Sequence, residues 1–122
     1  MEALAVALGG ALGSLGRWGI GGALRTALPD LPAGTFVANV LAGLIIGAAT
    51  NLGAAVDVDP NVKAFVTVGL CGGLSTFSTF SNETFTLIDT GDALGAALNI
   101  MANVGACLLA VYLGRRLGAA VA

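Results

Sequence analysis

The sequence predicts an all-α integral membrane protein of four transmembrane helices, and three observations predict it. Of its 122 residues, 57% are hydrophobic and 10% charged, with a mean hydropathy of +0.93. A soluble domain carries about a quarter charged residues, so this chain cannot clothe a water-facing surface. The apolar residues fall into four stretches cut apart by prolines and aspartates. Each is long enough for the roughly 20 helical residues that cross a bilayer, and none shows the alternation over roughly 10 residues of a barrel strand. A soluble bundle would need polar helix faces, which are missing.

The first stretch covers residues 3–28, with Arg17 and Arg25 in its second half. Pro29-Asp30-Leu31-Pro32 ends it, because proline lacks an amide donor and disfavours helix in the residue before it. The second, residues 34–55, carries no charge and stops before Asp57-Val58-Asp59-Pro60-Asn61. The third, residues 62–88, is polar in its middle and closes at Asp89-Thr90-Gly91-Asp92. The fourth, residues 93–114, is expected to stop at Arg115-Arg116. All four form one membrane domain over residues 1–122. Met1-Glu2 lacks the basic start of a signal peptide, so the first span is expected to stay attached.

Composition narrows function. The absence of histidine removes the commonest general base and metal ligand, and no enzyme is expected. A net charge of -2 argues against nucleic acid as a partner. Cys71 and Cys107 lie within apolar stretches and read as small buried hydrophobes. Placing the N-terminus inside puts Lys63, Arg115 and Arg116 in the cytoplasm and Arg25 outside, a bias small enough to allow insertion both ways.

The 19 glycines are spaced for packing. Gly9, Gly13 and Gly16 share a face, and Gly43/Gly47, Gly69/Gly73 and Gly114/Gly118 repeat the small-xxx-small interval that lets helix backbones approach.

The polar stretch Gly69-Leu70-Cys71-Gly72-Gly73-Leu74-Ser75-Thr76-Phe77-Ser78-Thr79-Phe80-Ser81-Asn82-Glu83 admits two readings. Either the helix unwinds at Gly72-Gly73, freeing carbonyl oxygens that suit a hard cation, or it continues with its hydroxyls bonded to the preceding turn. On a continuous helix Ser75, Thr79, Asn82 and Thr86 form a hydroxyl and amide stripe flanked by Ser78, while Phe77 and Phe80 share the opposite face. Phenylalanine ring edges are electropositive and can solvate a small anion, or the rings can simply pack. Asn39 is a lone amide in an apolar helix, either interhelical glue or a source of N–H donors. Glu83 and Arg17 are the ionisable residues well inside the spans, functional by default at that depth, and are a candidate pair.

These residues together resemble the CrcB/Fluc family of fluoride channels. The resemblance runs through Gly9-Gly10-Ala11-Leu12-Gly13-Ser14-Leu15-Gly16-Arg17, Gly34-Thr35-Phe36-Val37-Ala38-Asn39-Val40-Leu41-Ala42-Gly43 and Gly72-Gly73-Leu74-Ser75-Thr76-Phe77-Ser78-Thr79-Phe80-Ser81 with Glu83. It implies a passive, selective fluoride exit channel in a prokaryotic plasma membrane, built as an antiparallel dual-topology dimer with two pores. It also implies a break in the third helix that holds a buried Na⁺ through the backbone carbonyls of Gly72 and Ser75. By the same resemblance Asn39, Phe77 and Phe80 line the pore, Thr35, Ser78, Thr79 and Glu83 are polar pore or vestibule positions, and Arg17 and Gly73 are structural. Ser75 stands where many members have threonine, a change to which a carbonyl ligand is indifferent. Asn99 and Asn103 stand where the family pattern has tyrosine and serine, so the resemblance assigns them no role.

Four helices are too little material to enclose a pore, and the chain shows no internal inverted repeat, so a second copy or a homologous chain in inverted orientation would supply the missing symmetry. The alternative is a small multidrug-resistance-type proton-coupled exporter of similar size. Such proteins have an acidic residue in the first helix, where this chain has none beyond Glu2.

Overall fold

The computed structural model describes residues 1–121, and no strand occurs among them. Helix α1 spans Glu2–Ala27 and α2 Ala33–Ala55. The third span starts as α3, Pro60–Ala64, widens into a π-helical stretch at Phe65–Leu70 and tightens again as α4, Cys71–Leu74. It resumes after a break as α5, Phe77–Asp89, and α6 covers Ala93–Val121. The four resulting spans are long and apolar enough to cross a membrane.

Local chemistry sets the boundaries. Glu2 opens α1 and Arg25 sits in its last turn, each complementing the helix dipole. Asp59 caps α3 by accepting from the Asn61 N–H at 2.8 Å, with Pro60 in the first turn, where its missing N–H costs nothing. Gly91 takes φ +86 in the last tight turn, and Asp92 accepts from the Gly95 N–H at 2.8 Å at the start of α6.

Packing rests on small residues in two seams. On one, α1 lies against the third span: a Cβ on Gly9 or Gly13 would strike the Phe65 or Leu70 carbonyl, and one on Gly69 or Gly73 would strike the Val6 or Gly10 carbonyl. On the other, α2 lies along α6, and a Cβ on Gly47, Gly114 or Gly118 would strike the Val111, Leu44 or Ala48 carbonyl. Both seams are the close backbone approach expected of helices in lipid. The core is correspondingly slight: Ala38, Ala42 and Leu74, flanked by Ile20 and Ile45. Among the described residues no large side chain is fully enclosed, while Leu4, Leu8, Leu12, Leu15 and Trp18 stand exposed along α1. These faces suit lipid.

Three expectations need correction. The third span does break, but at Ser75-Thr76, whose backbone is extended (ψ 154 and ψ 116); Gly72 and Gly73 stay helical inside α4. The fourth helix runs through Arg115-Arg116 to Val121, because arginine ends a hydrophobic span without ending a helix, for which it is a good former. The continuous stripe does not exist either. The break turns Ser75 away from Thr79, and Asn82 and Thr86 lie exposed on α5.

Candidate functional site

The break is made by a side chain on another helix. Asn39, in the first third of α2, accepts from the Thr76 N–H through Oδ1 at 2.7 Å. That amide would otherwise serve the Gly72 carbonyl four residues back, so the α2 amide takes over a helical hydrogen bond and stops α4. Thr76 then caps the next helix, its Oγ1 accepting from the Thr79 N–H at 3.2 Å and donating to Thr79 Oγ1 at 3.1 Å. At the C-terminal end of α4, Arg17 Nε donates to the Gly73 carbonyl at 3.0 Å, a cation at the negative end of the helix dipole. The Ser75 N–H and hydroxyl both go to the Cys71 carbonyl, at 3.0 and 2.8 Å. No hydrogen bond among the described residues reaches the carbonyl oxygens of Gly72 or Ser75.

Two cavities flank the break. The first, about 390 Å³, is lined by Asn39, Gly72, Ser75, Phe77, Phe80 and Asn103 among others. Its two rings lie 5.5 Å apart at 51°. Phe80 is 8% exposed and Phe77 78%, so this cavity opens on the flank of the chain. The second, about 280 Å³, is lined by Arg17, Arg25, Thr35, Thr79 and Glu83 among others. Thr76 is the residue that lines both.

The residues singled out from sequence thus fall into two groups. Asn39, Phe77, Phe80, Gly72 and Ser75 share the first cavity, and Thr35, Thr79, Glu83 and Arg17 the second. Ser78 is exposed and lines neither, its hydroxyl 3.3 Å from Thr76 Oγ1. The candidate pair of Arg17 with Glu83 is not formed. Glu83 Oε1 accepts from buried Thr35 at 2.7 Å, Oε2 is buried without a partner, and Arg17 is committed to Gly73. Cys71 and Cys107 are both free thiols.

Sequence reasoning named Asn99 and Asn103 without giving them a role and did not single out Thr84. Asn103 is 5% exposed, and its Oδ1 lies 3.5 Å from Asn39 Nδ2. Its own Nδ2 donates to Asn99 Oδ1 at 3.1 Å and to the Asn99 carbonyl at 3.0 Å. Asn99 Nδ2 donates to Thr84 Oγ1 at 3.0 Å, and Thr84 Oγ1 to the Phe80 carbonyl at 2.8 Å. The signal was present: two amides four residues apart lie on one helix face, inside an apolar span where polar side chains need partners.

Comparison with known proteins agrees with this arrangement. The CrcB-like family (Camphor Resistance, CrcB) matches residues 4–115. A protein of Shewanella halifaxensis named fluoride-specific ion channel FluC is 42% identical over 115 residues, 93% of each chain. A second of that name, from Shewanella sp. strain ANA-3, is 44% identical over the same extent. A match across all four spans, with the broken third span and its two cavities inside it, makes the chain a member of the CrcB family.

Proposed function

We propose that this protein is a fluoride-selective channel that lets fluoride leave the cytoplasm passively, lowering its internal concentration and its toxicity. The observation that carries this reading is the first cavity. Asn39 and two phenylalanine rings face one space beside a helix break, offering N–H donors and ring edges to an anion with no histidine or lysine among its lining residues. Hydrogen-bond donors that replace a hydration shell are how a pore accepts an ion without holding it. An inside-negative potential drives an anion outward by about 2.3 kcal/mol per 100 mV, so no energy-coupling site is required. The second cavity is the polar approach to the first, with Thr35, Thr79 and Glu83 as its hydroxyl and carboxylate groups and Arg17 and Arg25 supplying positive charge. Ser78 would join the pathway only across an interface, since it is exposed on this chain.

The working unit on this reading is an antiparallel pair of chains. Phe77 stands open to the outside of the chain, so a second copy or a homologous chain in inverted orientation would close the cavity. The residues at the break also fit the Na⁺ that the family resemblance implies. Hard cations take oxygen ligands; Gly72 and Ser75 offer carbonyl oxygens that no other group among the described residues uses, and a Cβ on Gly72 would meet nothing within 4 Å. An inverted partner would double this set. When bound, Na⁺ would supply positive charge at the centre of the pair.

Two measurements test these statements. Purified protein in liposomes, with the voltage clamped by a K⁺ ionophore, releases fluoride and retains chloride; equal chloride release or none of either ion sinks the channel reading. The exporter alternative predicts proton-coupled drug uptake instead. Gly72→Leu leaves the chain inserted and helical but prevents pairing, read as a change from dimer to monomer by size-exclusion chromatography in detergent. A dimer like that of the parent protein removes Gly72 from the interface.

A further inference from the structure

The amides on α6 form part of a hydrogen-bond chain whose direction is fixed at both ends. It begins at the Thr76 N–H, which can only donate, and Asn39 Oδ1 receives it. That orientation puts Asn39 Nδ2 on the opposite side, toward Asn103 Oδ1. Asn103 must then present Nδ2 to Asn99, where the backbone carbonyl can only accept. Asn99 presents Nδ2 to Thr84, and Thr84 passes its proton toward the Phe80 carbonyl, which again can only accept. No amide in the series can flip without setting donor against donor or acceptor against acceptor. The chain leaves the break at Thr76, crosses α2 and α6, and enters α5 at Thr84 and Phe80.

We infer that Asn103 is a positioning residue for ion recognition. Held by Asn99 and Thr84, it keeps the Asn39 amide turned so that its N–H groups face the cavity shared with Phe77 and Phe80. The inference rests on the reading of that cavity as the ion site. Aligned hydrogen bonds polarise one another in a low-dielectric interior, so the series also makes Asn39 a stronger donor. Asn39 Nδ2 is the weakly held link: its protein acceptors lie at 3.4 Å (Thr76 carbonyl) and 3.5 Å (Asn103), at or beyond the usual upper limit for N–H···O. An anion entering the cavity therefore displaces little to gain both hydrogens. The carboxamides at Asn39, Asn103 and Asn99 thus act as one unit, in which Asn39 and Asn103 line the cavity and Asn39 Nδ2 is the donor an anion meets.

The test uses the full chain, labelled with ¹⁵N-asparagine and reconstituted, with sodium fluoride and sodium chloride as probes. Asn103→Leu keeps the side-chain shape and removes the acceptor. Expected is a shift of the Asn39 side-chain amide resonance before any anion is added, and loss of its response to fluoride. Fluoride efflux should fall roughly tenfold, the scale on which outer partners of a binding group act, with oligomeric state unchanged. Reduced efflux with an unmoved Asn39 resonance would assign Asn103 a structural role and overturn the inference; so would parental efflux. If Asn103→Leu does not fold, Thr84→Val, a near-isosteric change two links away, must shift the Asn39 resonance in the same direction, and an unmoved resonance overturns the inference. The resonance before anion addition reads positioning whether or not fluoride permeates, so failure of the parent protein to pass fluoride counts against the channel reading alone.

Discussion

Asn39→Asp abolishes fluoride efflux while leaving the helix break in place. The carboxylate keeps an acceptor for the Thr76 N–H, the bond that stops α4, so the local fold survives. The NH₂ that lay toward Asn103 and the Thr76 carbonyl becomes an acceptor, and the cavity gains a negative charge against the ion. Efflux should drop by roughly 100-fold or more, as when a preorganised donor to an anion is removed. Asn39→Leu separates the two roles: the Thr76 N–H loses its partner, at a cost of about 1–3 kcal/mol for a buried unsatisfied group, so this variant loses stability as well as flux. Liposome efflux together with thermal unfolding of both variants checks the pair. Efflux from Asn39→Asp near the parental rate removes Asn39 from the pathway.

The largest effects on folding fall on the two glycine seams. Gly13→Val and Gly114→Val each push a branched side chain into opposing backbone, the Leu70 and Leu44 carbonyls respectively. Overpacking by a methylene costs about 1–3 kcal/mol when side chains can yield, and here the obstacle is main chain, which yields least. Neither variant should give monodisperse protein. Gly19→Ala and Gly105→Ala serve as controls, because an added Cβ at either meets nothing within 4 Å and alanine favours helix over glycine by about 1 kcal/mol. Their melting temperatures should match or slightly exceed the parent's. Equal behaviour of seam and control variants by size-exclusion chromatography would show that the helices do not approach as described.

Much of this was legible in the sequence because lipid makes its demands locally. Four apolar runs, the prolines and aspartates between them and the small-xxx-small intervals are each readable within one stretch, and the helices and seams follow. The break was harder. Gly72-Gly73 is the weakest helix former in the third span, yet these residues remain helical because Gly73 is pressed against Gly10 and its carbonyl is held by Arg17. The helix stops instead where a distant amide competes for the Thr76 N–H, 37 residues away along the chain. The same limit hid the roles of Asn99 and Asn103, whose partners lie on other helices, and the missing contact between Arg17 and Glu83. Periodicity on an unbroken helix also merged into one stripe residues that the break sorts into two cavities.

That sorting has an electrical consequence. Thr76 lines both cavities, so on the channel reading they lie in series and an ion going from one to the other passes beside it. The Thr76 N–H and hydroxyl are firmly engaged, while its carbonyl has only the long contact with Asn39 Nδ2. Passage between the chambers would then run beside one threonine that also holds the helix break together.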